Sequence, residues 1–186
     1  MSKIFDALRK AENARRRPQE KGKEAPARRP REKEQVFLKG MDEDFRRSLM
    51  NLRNAIDSEM KNRDGRIILF TSAIAGEGKT MISGYLARVL AMGETDRVLL
   101  LDCAVNDPRM HELFGINNDR GLLDYLDGTA QLADIVRPID EGVLDIVTTG
   151  VVRSADVAQP LFNSDRMREF MKSAKESYDY VIVDSS

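Results

Sequence analysis

The fold of this 186-residue chain is decided by the stretch Thr71-Ser72-Ala73-Ile74-Ala75-Gly76-Glu77-Gly78-Lys79-Thr80. An apolar run at residues 66–70 precedes it, and apolar side chains with helical spacing follow it at residues 81–92. A strand, a glycine-containing turn and a helix in this order are the context that a phosphate-binding loop requires. The alternative is an ordinary glycine- and alanine-rich turn before a helix, and the two flanks favour the phosphate-binding loop over it.

Each residue type in this loop has a use in holding phosphate. Gly76 and Gly78 let the backbone curl so that several N–H groups point at one centre, where the following helix N-terminus adds partial positive charge. Lys79 supplies a full charge for the β- and γ-phosphates, and the Thr80 hydroxyl can bind Mg²⁺. The sequence therefore predicts a site for ATP and Mg²⁺. Its predicted nucleotide contacts are Ala75, Gly76, Glu77, Gly78, Lys79, Thr80 and Met81.

Apolar runs that alternate with helix-spaced segments predict an α/β fold. Continuous apolar strands between helices are typical of a parallel sheet covered on both faces. We expect a P-loop NTPase-like, three-layer α/β/α domain with a mainly parallel sheet. The predicted strands are residues 66–70, 97–102, 143–148 and 179–184, and the predicted helices are residues 42–61, 81–92, 107–114, 121–126, 131–136 and 164–177.

Two of the predicted strands end in a carboxylate, Asp102 and Asp184. Either acid alone could be a simple strand-ending cap. Ligands of open parallel sheets gather at the carboxyl ends of the strands, however, so both acids should lie near the phosphate-binding loop. Asp184 is a candidate to hold Mg²⁺ through water, and Asp102 to polarise an attacking nucleophile or to support the metal.

Composition divides the chain into three regions. Residues 1–17 have apolar side chains on one narrow face and predict an amphipathic helix. Residues 18–35 are rich in Arg, Lys, Glu, Pro and Gly and predict a flexible basic linker. Residues 36–186 form the predicted nucleotide-binding domain. Residues 9–33 carry eleven Lys and Arg against four Glu, but the interleaved Glu and the absence of aromatics favour a solvated tether over nucleic-acid or lipid contact.

The sequence predicts a cytoplasmic protein. No apolar run approaches the ~20 residues that span a bilayer, and the charged N-terminus has no secretory signal. Cys103 is the single cysteine and has no partner, which is typical of a reducing compartment.

These motifs, in this order, resemble those of the bacterial tyrosine kinases (BY-kinases) of capsule and exopolysaccharide biosynthesis. The resemblance implies an ATP- and Mg²⁺-dependent autokinase in which Lys79 and Asp102 are catalytic and Thr80, Asp102 and Asp184 surround the metal. It also implies a partner, the cytoplasmic part of a membrane polysaccharide co-polymerase, through which any membrane association would be peripheral. The resemblance is carried by the phosphate-binding loop and by residues 1–11, 98–102, 108–111, 114–115, 121–126 and 178–184.

The sequence departs from the family pattern at three positions. Ala104 stands where the second acid of the family's Asp-x-Asp motif assists phosphoryl transfer, and Asn106 replaces an arginine. Leu49 replaces the last arginine of the oligomerisation motif Glu-x-x-Arg-x-x-Arg that begins at Glu43. We therefore expect nucleotide binding with impaired catalysis, and the resemblance leaves a homo-oligomer in doubt.

The family also continues past the strand that ends here at Asp184, through further strands to a tyrosine-rich tail. This chain has four tyrosines in all, none of them in a cluster. In the family, later strands pair with the strand before the phosphate-binding loop. We therefore expect residues 67–70 to form an open sheet edge and residues 1–186 to self-associate, to be poorly soluble or to need a partner strand in trans.

Three functions remain open at this point. The first is a tyrosine autokinase, and the second is a non-catalytic, nucleotide-dependent regulatory module. Ala104 and the missing tyrosine cluster favour the second. The third is a partitioning or septum-placement ATPase, whose signature lysine lies five residues before the loop lysine. Ile74 occupies that place and argues against the third.

Overall fold

The computed structural model describes residues 41–60, 66–74, 76–93, 96–139 and 143–185. The predicted N-terminal helix (1–17) and basic linker (18–35) lie outside these residues. In chain order the elements are α1 (Glu43–Glu59), β1 (Arg66–Phe70), α2 (Lys79–Ala91), β2 (Val98–Asp102), α3 (Met110–Phe114), α4 (Leu122–Asp127), α5 (Leu132–Ile135), β3 (Val136–Ile139), β4 (Leu144–Val147), α6 (Ala155–Phe162), α7 (Asp165–Ser177) and β5 (Tyr180–Asp184).

The five strands form one sheet in the order β1-β5-β2-β4-β3. The pairs β1–β5, β5–β2 and β2–β4 are parallel, and β3 is antiparallel to β4. Helices α1 and α2 pack on one face, while α4 and α7 pack on the other. The predicted α/β fold with a mainly parallel sheet is confirmed.

The apolar residues of β2 explain why this strand lies in the centre of the sheet. Leu99 and Leu101 point into the core beneath α4 and α7, whereas Val98 and Leu100 point into the core beneath α2. All four are at most 1% exposed. Because the side chains on both faces of β2 are buried, its sequence is a continuous apolar run rather than an alternation of apolar and polar residues.

Helix caps account for two of the predicted helix starts. The Asp42 carboxylate accepts hydrogen bonds from the N–H groups of Asp44 and Phe45, each at 3.1 Å, and begins α1. The Ser164 hydroxyl accepts from the Met167 N–H and begins α7. Such caps satisfy N–H groups that have no partner within the helix. Across the described residues, no helix combines the length and the apolar character needed to cross a membrane.

Two elements were missed and two side-chain placements were wrong. The sequence pattern predicts neither β3 nor α6, which are short and contain Pro138 and Pro160, respectively. The apolar spacing of residues 42–61 places Leu52 on the inner face of α1, but this side chain is 38% exposed and only Leu49 of the helix is fully buried. Met81, expected in the stripe that packs on the sheet, is 44% exposed, and the buried residues of α2 begin at Ser83.

Strand β1 lies at the edge of the sheet, as expected. In the described part of the chain it pairs with β5 alone. Ile68 and Phe70 face the core beneath α2, but on the opposite face Ile67 is 41% exposed and Leu69 is 60% exposed. Among the described residues, β1 therefore has a strand partner on one side only and an apolar face that is partly exposed.

Candidate nucleotide-binding site

The carboxyl ends of the three strands β1, β5 and β2 meet beside the start of α2. In the parallel register Asp184 is paired with Phe70 on one side and with Asp102 on the other. Leu100 and Ile182, two residues earlier on their strands, face the core beneath α2, so both acids point to that same face. Neighbouring strands are about 4.8 Å apart, so the two carboxyl groups lie next to each other.

Two glycines shape the loop that precedes α2. Gly76 and Gly78 both have φ of +85°, a left-handed conformation that is costly for residues with a Cβ. Gly78 is the N-cap of α2 and offers no side chain to the first turn, so that turn's N–H groups are left for another acceptor. The local geometry is therefore that of an anion-binding helix start. Ala75 lies outside the described residues, and Glu77 is exposed, with its Oε2 atom 3.4 Å from the Ile74 nitrogen.

Lys79 is held across the loop by Ser72, which is not among the predicted nucleotide contacts. Its Nζ atom donates a hydrogen bond to the Ser72 Oγ atom at 2.7 Å, and the Ser72 hydroxyl donates to the Ile74 carbonyl at 2.9 Å. Ser72 thus positions the ammonium group over the loop. Only the fold reveals this contact, because a serine seven residues before a lysine is no recognisable signal.

Asp184 has the features of a metal-binding carboxylate. It is fully buried, and in the part of the chain that the structure describes neither of its carboxyl oxygens has a hydrogen bond of normal geometry. Burial raises its pKa, although the nearby Thr80 hydroxyl and Lys79 ammonium act in the opposite direction. Unpartnered buried oxygens are costly unless a cation or donor satisfies them. A carboxylate with a neighbouring hydroxyl is an oxygen donor set that fits Mg²⁺.

Asp102 is buried beside Asp184 and is better satisfied. Its Oδ1 atom accepts a hydrogen bond from the Ala104 N–H at 2.9 Å, while Oδ2 has no partner among the described residues. The Thr149 hydroxyl donates to the Asp102 carbonyl at 3.1 Å and fixes the strand end. Burial raises the pKa of Asp102 to about 6, and the nearby charge of Asp184 adds to this. The contribution of Thr149 could not be foreseen, since it comes from a distant strand end.

Ala104 has a methyl group at the position where the related kinases have the second acid of the Asp-x-Asp motif. It is 4% exposed, and its only polar contribution to Asp102 is the backbone N–H. The next acid along the loop, Asp107, is exposed and forms an ion pair with Arg109 at 2.9 Å. Asp102, at the end of β2, is therefore the buried carboxylate here, and the loop that follows adds only the exposed Asp107.

The raised pKa of Asp102 predicts a pH-dependent stability. The folded state favours the protonated carboxyl, so the group's stabilising effect is complete below its ordinary pKa of 3.8 and is lost as pH rises through about 6. We expect Asp102→Asn, which cannot ionise, to be more stable than the wild type by roughly 3 kcal/mol at pH 8 and by much less at pH 4.5. Urea unfolding in EDTA at both pH values measures this.

The matched control for this prediction is Asp156→Asn, which alters an exposed carboxylate on α6. It should leave the pH dependence of unfolding as in the wild type. If Asp102→Asn and the wild type had parallel pH profiles, burial of an ionisable Asp102 would be contradicted.

The sequence of this chain is similar to the sequences of known tyrosine-protein kinases. No protein-family model matches the sequence. The chain is 33% identical over 134 residues to the tyrosine-protein kinase etk of Escherichia coli strain K12. That match covers 72% of this chain and 18% of the length of the relative, so the chain spans less than a fifth of it.

The fold of this chain is also similar to the folds of solved protein structures. The kinase domain of the Escherichia coli tyrosine kinase ETK matches with a TM-score of 0.68 and 32% identity, over 74% of this chain and 52% of that one. The septum site-determining protein MinD of Pyrococcus horikoshii, solved with Mg-ADP, matches with a TM-score of 0.50 and 28% identity, over 64% of this chain and 48% of that one. Both of these solved proteins have a P-loop fold, and proteins with this fold use nucleotides.

Proposed function

We propose, because this chain belongs to the bacterial tyrosine kinase family, that it binds ATP with Mg²⁺ at its phosphate-binding loop and regulates exopolysaccharide or capsule biosynthesis with weak phosphoryl transfer of its own. The observation that carries the proposal is Asp184, which is buried with unpartnered oxygens beside Thr80 and Lys79. The Mg²⁺ ion that accompanies a bound nucleotide would supply positive charge next to this carboxylate.

Each residue of the site has a distinct part in this function. Lys79 leaves Ser72 and binds the β- and γ-phosphates, with which it forms charge-assisted hydrogen bonds. The first-turn N–H groups of α2 bind phosphate oxygens, while Thr80 and Asp184 hold Mg²⁺. When bound, Mg²⁺ neutralises the charge that develops on the transferred phosphoryl group. Asp102, with its raised pKa, takes the proton of the attacking hydroxyl.

Weak transfer is proposed because Asp102 acts without a second acid. The Ala104 methyl group cannot orient a hydroxyl, and positioning is the main contribution that a protein makes to phosphoryl transfer. A regulatory module that reads the nucleotide state through contacts alone is the second candidate, and the same alanine favours it. The partitioning-type ATPase is disfavoured, since Ile74 provides an exposed apolar side chain where that group has lysine.

The proposed partner is the cytoplasmic part of a membrane polysaccharide co-polymerase, and the proposed location is the cytoplasm. The support is the resemblance to the bacterial tyrosine kinases. In this arrangement the nucleotide state of the loop would be passed to the partner by direct contact. The match covers 18% of the length of the Escherichia coli relative, so the partner is proposed and not carried over from the whole protein.

Calorimetric titration of the chain with ATP tests the proposal. We expect saturable binding with Mg²⁺ and clearly weaker binding in EDTA, because Asp184 and Thr80 contribute through the cation. Phosphotyrosine formation is then measured on the chain and on an added tyrosine peptide. Equal affinity with and without Mg²⁺ would remove Asp184 from the site, and the absence of any binding would overturn the proposal.

A further inference from the structure

We propose that the Thr148 hydroxyl and the Asp102 carboxylate together hold the oxygen atom that attacks ATP, so that Thr148 orients the phosphoryl acceptor. This role rests on the proposed function and assigns to it the group that places the acceptor. The starting observation is the Thr148 side chain, which is fully buried and whose Oγ1 atom has no hydrogen-bond partner among the described residues. Buried hydroxyl groups are normally satisfied, so a ligand is expected next to this one.

The register of the sheet places Thr148 beside Asp102. The last pair of the β2–β4 ladder is Leu101 with Val147, so the next residues on the two strands, Asp102 and Thr148, lie side by side. The residues two positions before them face the core beneath α2, and the alternation along a strand turns both side chains to that same face. The Thr149 hydroxyl donates to the Asp102 carbonyl at 3.1 Å and keeps the strand ends together beyond the ladder.

The two side chains have complementary polar atoms that no described residue satisfies. The Asp102 Oδ2 atom is unpartnered and accepts hydrogen bonds, whereas the Thr148 hydroxyl can donate one. Neighbouring strands lie about 4.8 Å apart, a span that one oxygen atom bridges with two hydrogen bonds of about 2.7 Å. An O–H group placed there donates its proton to Asp102 and accepts a hydrogen bond from Thr148. A water molecule and the phenol of a tyrosine both have this chemistry.

The order of the strands gives the attack its direction. Phosphate binds at the start of α2, next to β1, and the row of polar side chains runs from Asp184 on β5 through Asp102 on β2 to Thr148 on β4. In phosphoryl transfer the phosphorus lies between the attacking and the leaving oxygen. With the nucleotide at the β1 end of the row, the acceptor oxygen belongs at the β4 end.

The reaction that this order supports is a single displacement. The acceptor oxygen forms a bond to the γ-phosphorus while the bond from that phosphorus to the β,γ-bridging oxygen breaks. The proton of the acceptor passes to Asp102, and ADP leaves. Water as the acceptor gives inorganic phosphate, and a phenol gives phosphotyrosine. Thr148 orients the acceptor but is no base, so proton transfer still depends on Asp102 and the proposed weak activity is retained.

The start of α4 holds the backbone of Thr148 in place. The Thr148 carbonyl oxygen accepts a hydrogen bond from the Leu122 N–H at 2.8 Å. The two segments approach so closely that a Cβ atom at position 121, which is Gly121, would lie 2.3 Å from the same oxygen. A backbone held in this way keeps the hydroxyl in one position, as the orientation of an acceptor requires.

Thr148→Val tests this role, because it removes the hydroxyl and nearly keeps the shape of the side chain. Single turnovers with γ-labelled ATP and an added tyrosine peptide are followed by counting both products, and the main product identifies the acceptor. We expect Thr148→Val to lower the rate of the main product by about 10- to 100-fold, the cost of a misplaced reactant, with unchanged affinity for MgATP. Thr148→Ser keeps the hydroxyl and should retain most of the rate. Ser173→Ala, which removes a buried hydroxyl on α7, is the matched control and should have the wild-type rate.

Each result of these turnovers decides the role. A Thr148→Val variant as fast as the wild type, or a Thr148→Ser variant as slow as Thr148→Val, would overturn it. A wild type that binds MgATP without forming either product would also overturn it, while leaving the proposed nucleotide binding intact. A wild type that does not bind MgATP would refute the proposed function, and this role with it.

Urea unfolding without nucleotide provides a second measurement that needs no turnover. In the absence of substrate the bridging oxygen is that of a water molecule, and a hydroxyl that holds it against Asp102 stabilises the fold. We therefore expect Thr148→Val to lower the urea midpoint. Replacing a buried, unpartnered hydroxyl by a methyl group would have the opposite effect. An unchanged or raised midpoint would thus contradict the proposal.

Discussion

Lys79→Met is expected to weaken the binding of MgATP by about 30- to 150-fold, which corresponds to the ~2–3 kcal/mol of a hydrogen bond to a charged group and its lost partner. The Nζ atom is already over the loop, 2.7 Å from Ser72 Oγ, so little rearrangement is needed before it contacts phosphate. The first-turn N–H groups remain in the variant, but these partial charges cannot replace a full one.

Calorimetry of the two proteins measures this loss, and Lys172→Met serves as its control. Lys172 is an exposed lysine on α7, so its removal changes net charge equally without touching the loop. Circular dichroism confirms that the variants are folded. Equal affinity for MgATP in Lys79→Met and the wild type would remove the phosphate-loop assignment.

Ala104→Asp is expected to raise the rate of tyrosine phosphorylation by about 10²–10⁴-fold, the usual contribution of a positioned acid–base group. The wild-type loop holds Asp102 through the Ala104 N–H, and this backbone bond survives the substitution. A carboxylate at position 104 adds a group that can both orient the attacking hydroxyl and accept its proton, a task that falls to Asp102 alone in the wild type. Phosphotyrosine formation on an added peptide measures the gain.

Ala104→Asn is the matched control, because asparagine has nearly the same shape but cannot accept a proton. It should stay at the wild-type rate. MgATP affinity is measured for each variant, so that a failure to bind is separated from a failure to transfer phosphate. Rapid phosphorylation by the unmodified chain would show that Asp102 suffices. An Ala104→Asp variant that binds MgATP and remains as slow as Ala104→Asn would refute the assigned role.

The predictable part of the fold is the part with a strong local pattern. Helices α1 and α7 have an apolar stripe and a side-chain cap, and β2 and β5 are continuous apolar runs. Their order was enough to predict a mainly parallel sheet. Strand β3 and helix α6 were missed because a central proline contradicts the usual pattern, and only tertiary packing overrides it.

The candidate site was predictable in outline and not in detail. The rule that ligands gather at the carboxyl ends of parallel strands placed Asp102 and Asp184 near Lys79, but their side-by-side register needed the sheet. The contacts of Ser72 and Thr149 join residues seven and 47 positions apart. No periodicity connects such pairs, so these positioning residues emerge only from the folded chain.

The two adjacent buried carboxyl groups also affect how long the protein survives. Without a cation they oppose folding, since burial penalises both charges. A ligand that binds only the folded state adds about 2.7 kcal/mol when present at 100 times its dissociation constant. Cellular proteases degrade the unfolded fraction, so we expect the chain's half-life to lengthen when MgATP is abundant and to shorten when energy is scarce. Turnover would then report the energy state of the cell, independently of any phosphate that is transferred.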